Sequence, residues 1–338
     1  MTIGYLVMPH AIVQIEEVEE NWKLVERRIE QVQFECLAFD PHDVKRMYAG
    51  TFDHGLWVSD DGGKQWRVAG KGINSFRVSA IAVSPVEVIN GRGVVWAGTE
   101  PSRLYRSEDG GETWTDCPAL LDLPSQSSWS FPPRPDTHHV RWIEADRFNQ
   151  DKVFVGIELG GVMRSLDKGL TWEDRKPGSQ FDCHTMATHP KREERIYEAA
   201  GGGFAQSRNG GETWQTENKG LDPFTYLVNI AVAADQPDCI LVSGAKGPRQ
   251  AYQAEQAHSV ILKREDNQNW RLIEKGLPEA EGMTVSALAN SPTEQGVFYA
   301  ANNKGVFRSE TYGENWEKLP LNWPKAYHDL RMKQLLIR

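Results

Sequence analysis

An eight-residue pattern recurs along this 338-residue chain and constrains its fold more than any other feature. Its complete form has Ser first, Asp or Asn third, Gly fifth and Trp eighth. Four segments carry that form: Ser59–Trp66, Ser107–Trp114, Ser165–Trp172 and Ser207–Trp214. Two further segments are degraded: Lys263–Trp270, with Asn267 in the Gly place, and Ser309–Trp316, with Thr311 in the Asp place. Such repetition is typical of an array of similar structural units.

Each pattern has the chemistry of a tight turn between two strands. An Asp or Asn side chain accepts hydrogen bonds from backbone N–H groups just ahead of it, and Gly supplies the backbone conformation that the turn needs. The Trp begins the returning strand and buries a large ring. Apolar strands that end in Pro, such as Ala80–Pro85 and Ala287–Pro292, start the units. Four short strands per repeat predict the blade of a β-propeller.

The number of blades follows from the tryptophans of the pattern, which are 42 to 58 residues apart. A further hairpin surrounds Trp22, where the turn pattern is lost, and Leu330–Ile337 supplies a spare strand. We therefore predict one all-β domain over residues 1–338, a seven-bladed β-propeller. Blades 1 to 6 occupy about residues 33–320, and blade 7 combines about 1–30 with 327–338. This closure leaves no free sheet edge. Six blades with loose ends is the alternative.

The pattern resembles the Asp-box (BNR) repeat of sialidases, xyloglucanases and the photosystem II assembly factor. The resemblance implies that the acids of the boxes are scaffold, and it specifies fold more than function. The Arg-Ile-Pro-type motif of sialidases is absent from the sequence, so a standard sialidase is not expected. Xyloglucanases use two such propellers around a cleft with paired acids, whereas this sequence predicts one. The chain looks most similar to uncharacterised bacterial and archaeal Asp-box proteins.

The composition excludes some classes of partner. A net charge of −9 argues against a nucleic-acid surface, which needs a basic footprint. It also fits poorly with the basic patch through which the photosystem II assembly factor works. No run approaches the roughly 20 apolar residues of a membrane span, and the first residues lack the features of a signal peptide. Four scattered cysteines without a CxxC pair indicate reduced thiols. We expect a cytoplasmic protein that binds neither nucleic acid nor membrane.

The candidate site lies on the face of the propeller opposite the boxes, which we call the top face. Loops between blades and loops between second and third strands emerge there, around the central channel. Histidines, arginines and acids collect at these positions. The predicted catalytic residues are His54, His139, Glu158 and His184, and the predicted ligand-binding residues are His10, Arg77, Trp129, Arg141, Arg249 and His328.

Two functions remain open for this set. Imidazoles and carboxylates on one cavity can serve as general acids and bases, or can bind Zn²⁺, Mn²⁺ or Fe²⁺ and activate water. The first hypothesis is a hydrolase or lyase whose small polar ligand, such as a sugar derivative, binds under the Trp129/Phe131 loop. Its metal version uses His54, His139, Glu158 and His184 as ligands. The second is a protein-binding scaffold without catalysis. Polar residues also line any water-filled channel, so neither hypothesis follows from composition alone.

Overall fold

Seven antiparallel sheets surround a central channel in the computed structural model, which describes residues 2–19, 21–29, 31–266 and 268–338. The strands, in chain order, are β1 (Ile3–Met8), β2 (Ala11–Val18), β3 (Asn21–Arg27), β4 (Phe34–Asp40), β5 (Asp43–Thr51), β6 (Leu56–Ser59), β7 (Arg67–Ala69), β8 (Arg77–Ile89), β9 (Arg92–Glu100), β10 (Leu104–Ser107), β11 (Thr115–Asp116), β12 (Val140–Ala145), β13 (Val153–Ile157), β14 (Gly161–Ser165), β15 (Cys183–Thr188), β16 (Ile196–Ala200), β17 (Gly203–Ser207), β18 (Gln215–Thr216), β19 (Tyr226–Val232), β20 (Ile240–Ala245), β21 (Ser259–Arg264), β22 (Arg271–Ile273), β23 (Ala287–Asn290), β24 (Phe298–Asn302), β25 (Gly305–Ser309), β26 (Glu317–Lys318) and β27 (Gln334–Ile337).

Helical segments are short and lie in the loops. They are the α-helix α1 (Pro248–Tyr252) and the 3-10 turns Pro118–Asp122, Gln126–Ser128, Ala254–Gln256 and Lys325–Tyr327. Blade 1 consists of β4 to β7, blade 2 of β8 to β11, blade 3 of β12 to β14, blade 4 of β15 to β18, blade 5 of β19 to β22 and blade 6 of β23 to β26. In blade 3 the fourth position is reduced to a single bridge between Arg164 and Glu173.

The two ends of the chain together form blade 7, whose strand order is β27-β1-β2-β3. Leu335 pairs with Leu6 and Ile337 with Gly4, and Leu6 and Leu335 belong to one buried apolar cluster with Tyr299 of blade 6. First strands of successive blades contact one another all the way around, including β27 with β4. The predicted seven blades and the closure by N- and C-terminal strands are therefore confirmed.

The eight-residue segments form the turns between third and fourth strands. In blade 2 the Ser107 hydroxyl accepts the Gly111 N–H at 2.8 Å, and Asp109 accepts the Thr113 N–H at 2.9 Å. The Trp114 indole N–H donates to the Gly111 carbonyl at 3.1 Å. Gly111 has a φ of 89°, a region that disfavours other residues. The side chains of Ser107 and Asp109 therefore cap the turn, as the sequence pattern predicts.

Degraded copies of the turn keep part of this bonding. The Thr311 hydroxyl accepts the Asn315 N–H at 2.9 Å and so replaces one bond of the missing carboxylate. In the Lys263–Trp270 copy, Asn267 lies outside the described residues. Buried Lys263 instead reaches the next blade, where its ammonium is 2.7 Å from Glu314.

The turns also tie neighbouring blades together. The buried guanidinium of Arg46 in blade 1 contacts Glu112 of the blade 2 turn at 3.0 Å, and that of Arg164 in blade 3 contacts Glu212 of the blade 4 turn at 2.6 Å. Arg164 also donates to the Gly210 carbonyl at 2.7 Å. Acids of the turns are thus occupied by structural contacts on the face opposite the candidate site.

Within the described part of the chain, no helix is long and apolar enough to cross a membrane. The four cysteines, Cys36, Cys117, Cys183 and Cys239, are free thiols, and three of them are buried.

Removing one turn hydroxyl group tests whether the turns contribute to the stability of the fold. Ser107→Ala leaves the buried Gly111 N–H without its acceptor, so we expect the free energy of unfolding to fall by roughly 1–3 kcal/mol. Urea unfolding followed by tryptophan fluorescence measures this change. Ser127→Ala, an exposed serine in a top-face loop, is the control and should change stability little. Equal stabilities of the two variants would show that the turn hydroxyl is dispensable.

Candidate functional site

A β-bulge interrupts the first strand at the same place in five of the blades. In blade 4, for example, Cys183 and Thr185 pair with the consecutive residues Ala200 and Ala199, so His184 between them is left out of the ladder. Bulges redirect side chains and are common beside functional sites. The residues at this position are Glu35, Ser79, Arg141, His184 and Val228, and all five line one central cavity.

The cavity is narrow, and both polar and apolar side chains line it. It leaves about 50 Å³ for water molecules, which is room for roughly three to five of them. Besides the bulge residues, its walls include Tyr252 and the segment Arg331–Gln334, which leads into β27. The sequence prediction did not include Arg331 or Lys333 in the site. The strand after Leu330 was predicted, but its register was not, so its inward residues could not be assigned.

Two of the cavity-lining residues, Arg141 and His184, belong to a group of five side chains at the top-face ends of blades 3 and 4. We call this group the mouth cluster; its members are His139, Arg141, Glu158, Asp182 and His184. Asp182 and His139 precede the first strands of blades 4 and 3, and Glu158 follows β13, the second strand of blade 3. In an antiparallel blade the start of the first strand and the end of the second strand lie at the same face, which explains why these residues converge here.

Glu158 is the acid with the strongest partners. Its Oε2 atom is 3.1 Å from His139 Nε2 and 3.4 Å from Arg141 Nε. Burial alone would raise the pKa of Glu158, but the hydrogen bond from His139 and the charge of Arg141 outweigh it and hold the pKa well below its usual range. Glu158 is therefore ionised at neutral pH. Both neighbours contact the same oxygen, which leaves Oε1 for another partner.

His184 is fixed by a neighbouring blade. Its Nδ1 atom is 2.6 Å from the Leu227 carbonyl of blade 5, and the Tyr226 ring packs edge-on against the imidazole. Because a carbonyl can only accept, Nδ1 carries a proton and donates it. The other nitrogen, Nε2, is buried and finds no hydrogen-bond partner among the residues that the structure describes. It lies 3.4 Å from Asp182 Oδ2.

A carboxyl group next to the mouth cluster, that of Glu198, differs from the Glu158 carboxyl group in its protonation state. Glu198 of β16 is fully buried and accepts the Gln180 N–H at 2.9 Å. Burial, with a smaller effect of the Asp182 charge, raises the pKa of Glu198 to about 8. Burial likewise raises the pKa of the adjacent Cys183 thiol well above its ordinary value. Glu158 and Glu198 thus differ in charge at neutral pH.

Ion pairs surround the mouth cluster. Glu100 accepts from Arg134 at 2.8 Å and is 2.7 Å from Arg77, whose guanidinium stacks over the Phe52 ring. Deeper in the channel, Glu35 lies 3.1 Å from Lys333. Burial lowers the pKa of Lys333 to about 8, although the charge of Glu35 opposes this shift. The positive and negative charges around the channel are therefore nearly balanced.

The structure brings together some of the predicted residues and not others. His139, Arg141, Glu158 and His184 are in direct contact or face one another, with Arg77 nearby. His54 is 42% exposed and its imidazole is 2.6 Å from its neighbour Asp53. Three further predicted residues are exposed away from the cluster: His10 and His328 in loops and Arg249 in the short helix α1.

Trp129 is a core residue of the loop rather than an open surface. It is buried with Val140 and Ile157, and its indole N–H donates to the Ser125 hydroxyl at 2.9 Å. Phe131 is the loop residue that reaches the site, because its ring packs edge-on against His139. Asp182 is the member of the mouth cluster that is absent from both predicted sets, the catalytic and the ligand-binding residues. The sequence offered one signal for Asp182: it lies two residues before His184, immediately ahead of the strand that contains His184.

Comparisons with known proteins identify the fold of the chain. No protein-family model matches it. Among curated proteins, the oligoxyloglucan-reducing end-specific xyloglucanase of Emericella nidulans is 24% identical over 153 residues, which are 41% of this chain and 17% of that protein. The chain thus spans a small part of its curated relative.

Solved structures of two kinds are similar to this chain. The GH74 enzyme of Niastella koreensis matches with a TM-score of 0.66 and 15% identity, over 92% of this chain and 51% of that one. An ancestral GH74 enzyme matches with a TM-score of 0.65 and 16% identity, over 85% and 38%. YCF48 bound to D1 peptide matches with a TM-score of 0.61 and 15% identity, over 100% and 96%. The chain spans about half or less of the GH74 enzymes, and these likenesses show the fold alone.

The buried Glu198 carboxyl predicts a pH-dependent stability. Because its pKa is raised to about 8 in the folded protein, folding loses stability as the pH rises from the unfolded-chain value, about 4.5, through 8. Glu198→Gln removes this titration. We expect its free energy of unfolding, relative to wild type, to increase by a few kcal/mol between pH 5.5 and pH 8.5. Urea unfolding at the two pH values measures the difference, with Glu193→Gln, on an exposed turn, as the control. A difference that is independent of pH would contradict the buried neutral carboxyl.

Proposed function

We propose that the mouth cluster binds a small polar, carbohydrate-derived ligand and acts on it by acid–base chemistry, as a hydrolase or lyase. The observation that carries this proposal is the convergence of buried polar atoms at one end of the channel. His139 Nδ1, Asp182 Oδ1 and His184 Nε2 all lack a hydrogen-bond partner within the described residues. Buried polar atoms are normally bonded, so several unpaired ones at one place favour a ligand site.

The charge balance around the site favours a neutral ligand with many hydroxyl groups. Arginines and acids are already paired there, as in the contacts of Glu100 with Arg77 and of Glu158 with Arg141. A strongly anionic or cationic ligand would have to break such pairs at a cost. Hydroxyl groups can instead donate to carboxylates and accept from guanidinium groups without disturbing them. A sugar derivative has this pattern of donors and acceptors.

The roles within the site follow from the protonation states. His184 has its Nδ1 proton committed to the Leu227 carbonyl, so Nε2 is the atom that takes a proton from a ligand hydroxyl or from water. Ionised Glu158 stabilises the imidazolium that results, and Asp182 lies 3.4 Å from Nε2. Arg141 and His139 hold Glu158 in place and orient the ligand. These assignments describe proton transfer at one site and require no covalent intermediate.

The similar proteins support a carbohydrate ligand. The curated relative is named as a xyloglucanase specific for the reducing end of oligoxyloglucan, and the GH74 enzymes share the propeller fold. We also infer that the eight-residue turns are Asp boxes, because their bonding and spacing fit that repeat. Since the chain spans only part of each of those enzymes, its substrate and reaction are proposed from the mouth cluster and not carried over from them.

A second function is supported by a different observation. YCF48, whose solved structure holds a D1 peptide, is matched over nearly its full length, unlike the glycoside hydrolases. Exposed aromatic rings also occur near the top face: Phe76 is 78% exposed, and Phe52 and Phe181 are partly exposed. A peptide-binding scaffold would use this rim and would not need the unpaired atoms of the mouth cluster. We therefore rank it second.

Two buried histidines at opposite ends of β15 provide a matched test. His184 and His189 are each 1% exposed, and each contacts a backbone carbonyl of blade 5. We expect at least one member of a panel of mono- and oligosaccharides, including xyloglucan oligosaccharides, to show saturation-transfer NMR signals with wild type. His189→Ala should keep those signals and His184→Ala should lose them, while thermal unfolding shows that both variants are folded.

Two results would contradict the proposal. One is the absence of saturation transfer to every sugar of the panel. The other is a signal that His184→Ala leaves unchanged, because ligand contact would then lie away from the mouth cluster. Either result would favour the peptide-binding scaffold, whose rim these substitutions do not alter.

A further inference from the structure

Three side chains of the mouth cluster bring potential metal-ligating atoms close together. One ligating atom each of Glu158, Asp182 and His184 lies within 4.8 Å of the others. The two carboxyl groups offer oxygens, and His184 offers Nε2, because its Nδ1 atom is engaged with the Leu227 carbonyl. Lone pairs that point at one another repel, and burial strengthens the repulsion. A cation placed between them turns this arrangement into a favourable one.

The surroundings of His184 are those of a metal ligand. Histidines that bind metals usually donate their second N–H to a carbonyl or carboxylate, which fixes the tautomer and the ring orientation. The 2.6 Å contact from Nδ1 to the Leu227 carbonyl supplies this bond. His184 is only 1% exposed, and its Nε2 atom has no hydrogen-bond partner in the described part of the chain. This unpaired atom is evidence for a bound ligand, and that evidence does not depend on the neighbouring acids.

Glu158 is supported in the same way. His139 and Arg141 both contact Oε2, at 3.1 and 3.4 Å, so the carboxylate is oriented while Oε1 remains open. The positive charge of Arg141 opposes a cation nearby, but two carboxylates face the position against one guanidinium. Ligands about 2.1 Å from an ion lie at most about 4.2 Å apart. Small side-chain rotations therefore suffice to close the set of three around an ion.

We propose that Glu158, Asp182 and His184 form a binding site for one divalent first-row transition-metal ion. The inference deepens the proposed function, on which its catalytic meaning rests, because a bound ion would activate water at the position where His184 otherwise acts as base. This ligand set differs from the four metal ligands predicted from the sequence. Asp182 takes the place of His54, and His139 is a positioning residue that holds Glu158 rather than a ligand. The ion completes its coordination with water or with ligand oxygens.

The donor set restricts the ion. Imidazole favours Zn²⁺ and Fe²⁺ over Mg²⁺ and Ca²⁺, whereas two carboxylates also suit Mn²⁺. Sites with mixed nitrogen and oxygen ligands generally bind Zn²⁺ more tightly than Mn²⁺. We expect Zn²⁺ to bind more tightly than Mn²⁺, and Mg²⁺ to bind weakly.

Calorimetric titration of the full chain tests the site directly. The chain, without a histidine tag and after treatment with a chelator, is titrated with Zn²⁺ and with Mn²⁺. We expect one equivalent of Zn²⁺ per chain. Loss of an outer partner of a metal ligand typically weakens affinity 10- to 100-fold, so loss of a ligand should weaken it by about 100-fold or more. The variants are His184→Ala and the isosteric Asp182→Asn, with His189→Ala as the matched control that binds like wild type.

Cobalt spectroscopy separates this site from the free thiols. Co²⁺ bound by oxygen and nitrogen lacks the intense thiolate charge-transfer absorption that a cysteine ligand would give, and buried Cys183 is next to His184 in sequence. Absence of saturable binding in wild type, survival of binding in both ligand variants, or a thiolate band would each overturn the inference.

The two proposals can fail separately. Metal titration uses no sugar, and saturation transfer can be measured in the presence of chelator. Sugar binding without metal binding overturns only the metal site. Metal binding without any sugar signal overturns only the proposed carbohydrate function.

Discussion

The β-bulge in the first strands is the constraint on which the candidate site depends. In a regular strand, side chains alternate between the two faces of the sheet, so a strand packed between blades presents few residues to the channel. An extra residue at the bulge breaks this alternation and turns one side chain inward. Because the bulge occurs at the same place in five blades, Glu35, Ser79, Arg141, His184 and Val228 form a ring around the cavity. The propeller thereby assembles polar groups that are far apart in sequence, from Glu35 to His184.

The blades supply rigidity as well as position. His184 belongs to blade 4, but the carbonyl that fixes its tautomer belongs to Leu227 of blade 5. Glu158 is oriented by His139 and Arg141 on the adjoining strand of its own blade. On the opposite face, capped turns and buried arginines such as Arg46 join each blade to the next. A site whose members come from several blades keeps its geometry only if the ring is stiff, and those turns contribute to that stiffness.

Much of the architecture could be predicted from sequence because it repeats. The eight-residue pattern located six turns, and the hairpin around Trp22 led to the seventh blade and its closure by β27. Of the five bulge residues, Arg141 and His184 are among the site residues predicted from the sequence. Glu35, Ser79 and Val228 were not among them, because a one-residue bulge leaves no mark in the hydrophobic pattern of a strand.

Side-chain directions were harder to predict than backbone positions. His54 lies in a top-face loop, but a local contact with Asp53 engages its imidazole. Trp129 lies in the expected loop and packs into the core beneath it. Arg331 and Lys333 were missed because the strand register near the C-terminus has no repeated motif to fix it. These outcomes depend on local contacts and on the bulges, which a one-dimensional pattern does not encode.

The central claim is that Glu158, Asp182 and His184 face one another as acceptors, at a cost to stability that a bound partner relieves. Asp182→Asn tests this claim without knowledge of the ligand, because it replaces one carboxylate with an amide of the same shape that can donate to His184 Nε2. In urea unfolding at pH 7.5 with chelator present, we expect the variant to be more stable than wild type by about 1 kcal/mol, the usual contribution of one hydrogen bond. A variant less stable than wild type would contradict the account, since Asp182 would then act as the structural counterion of a protonated His184.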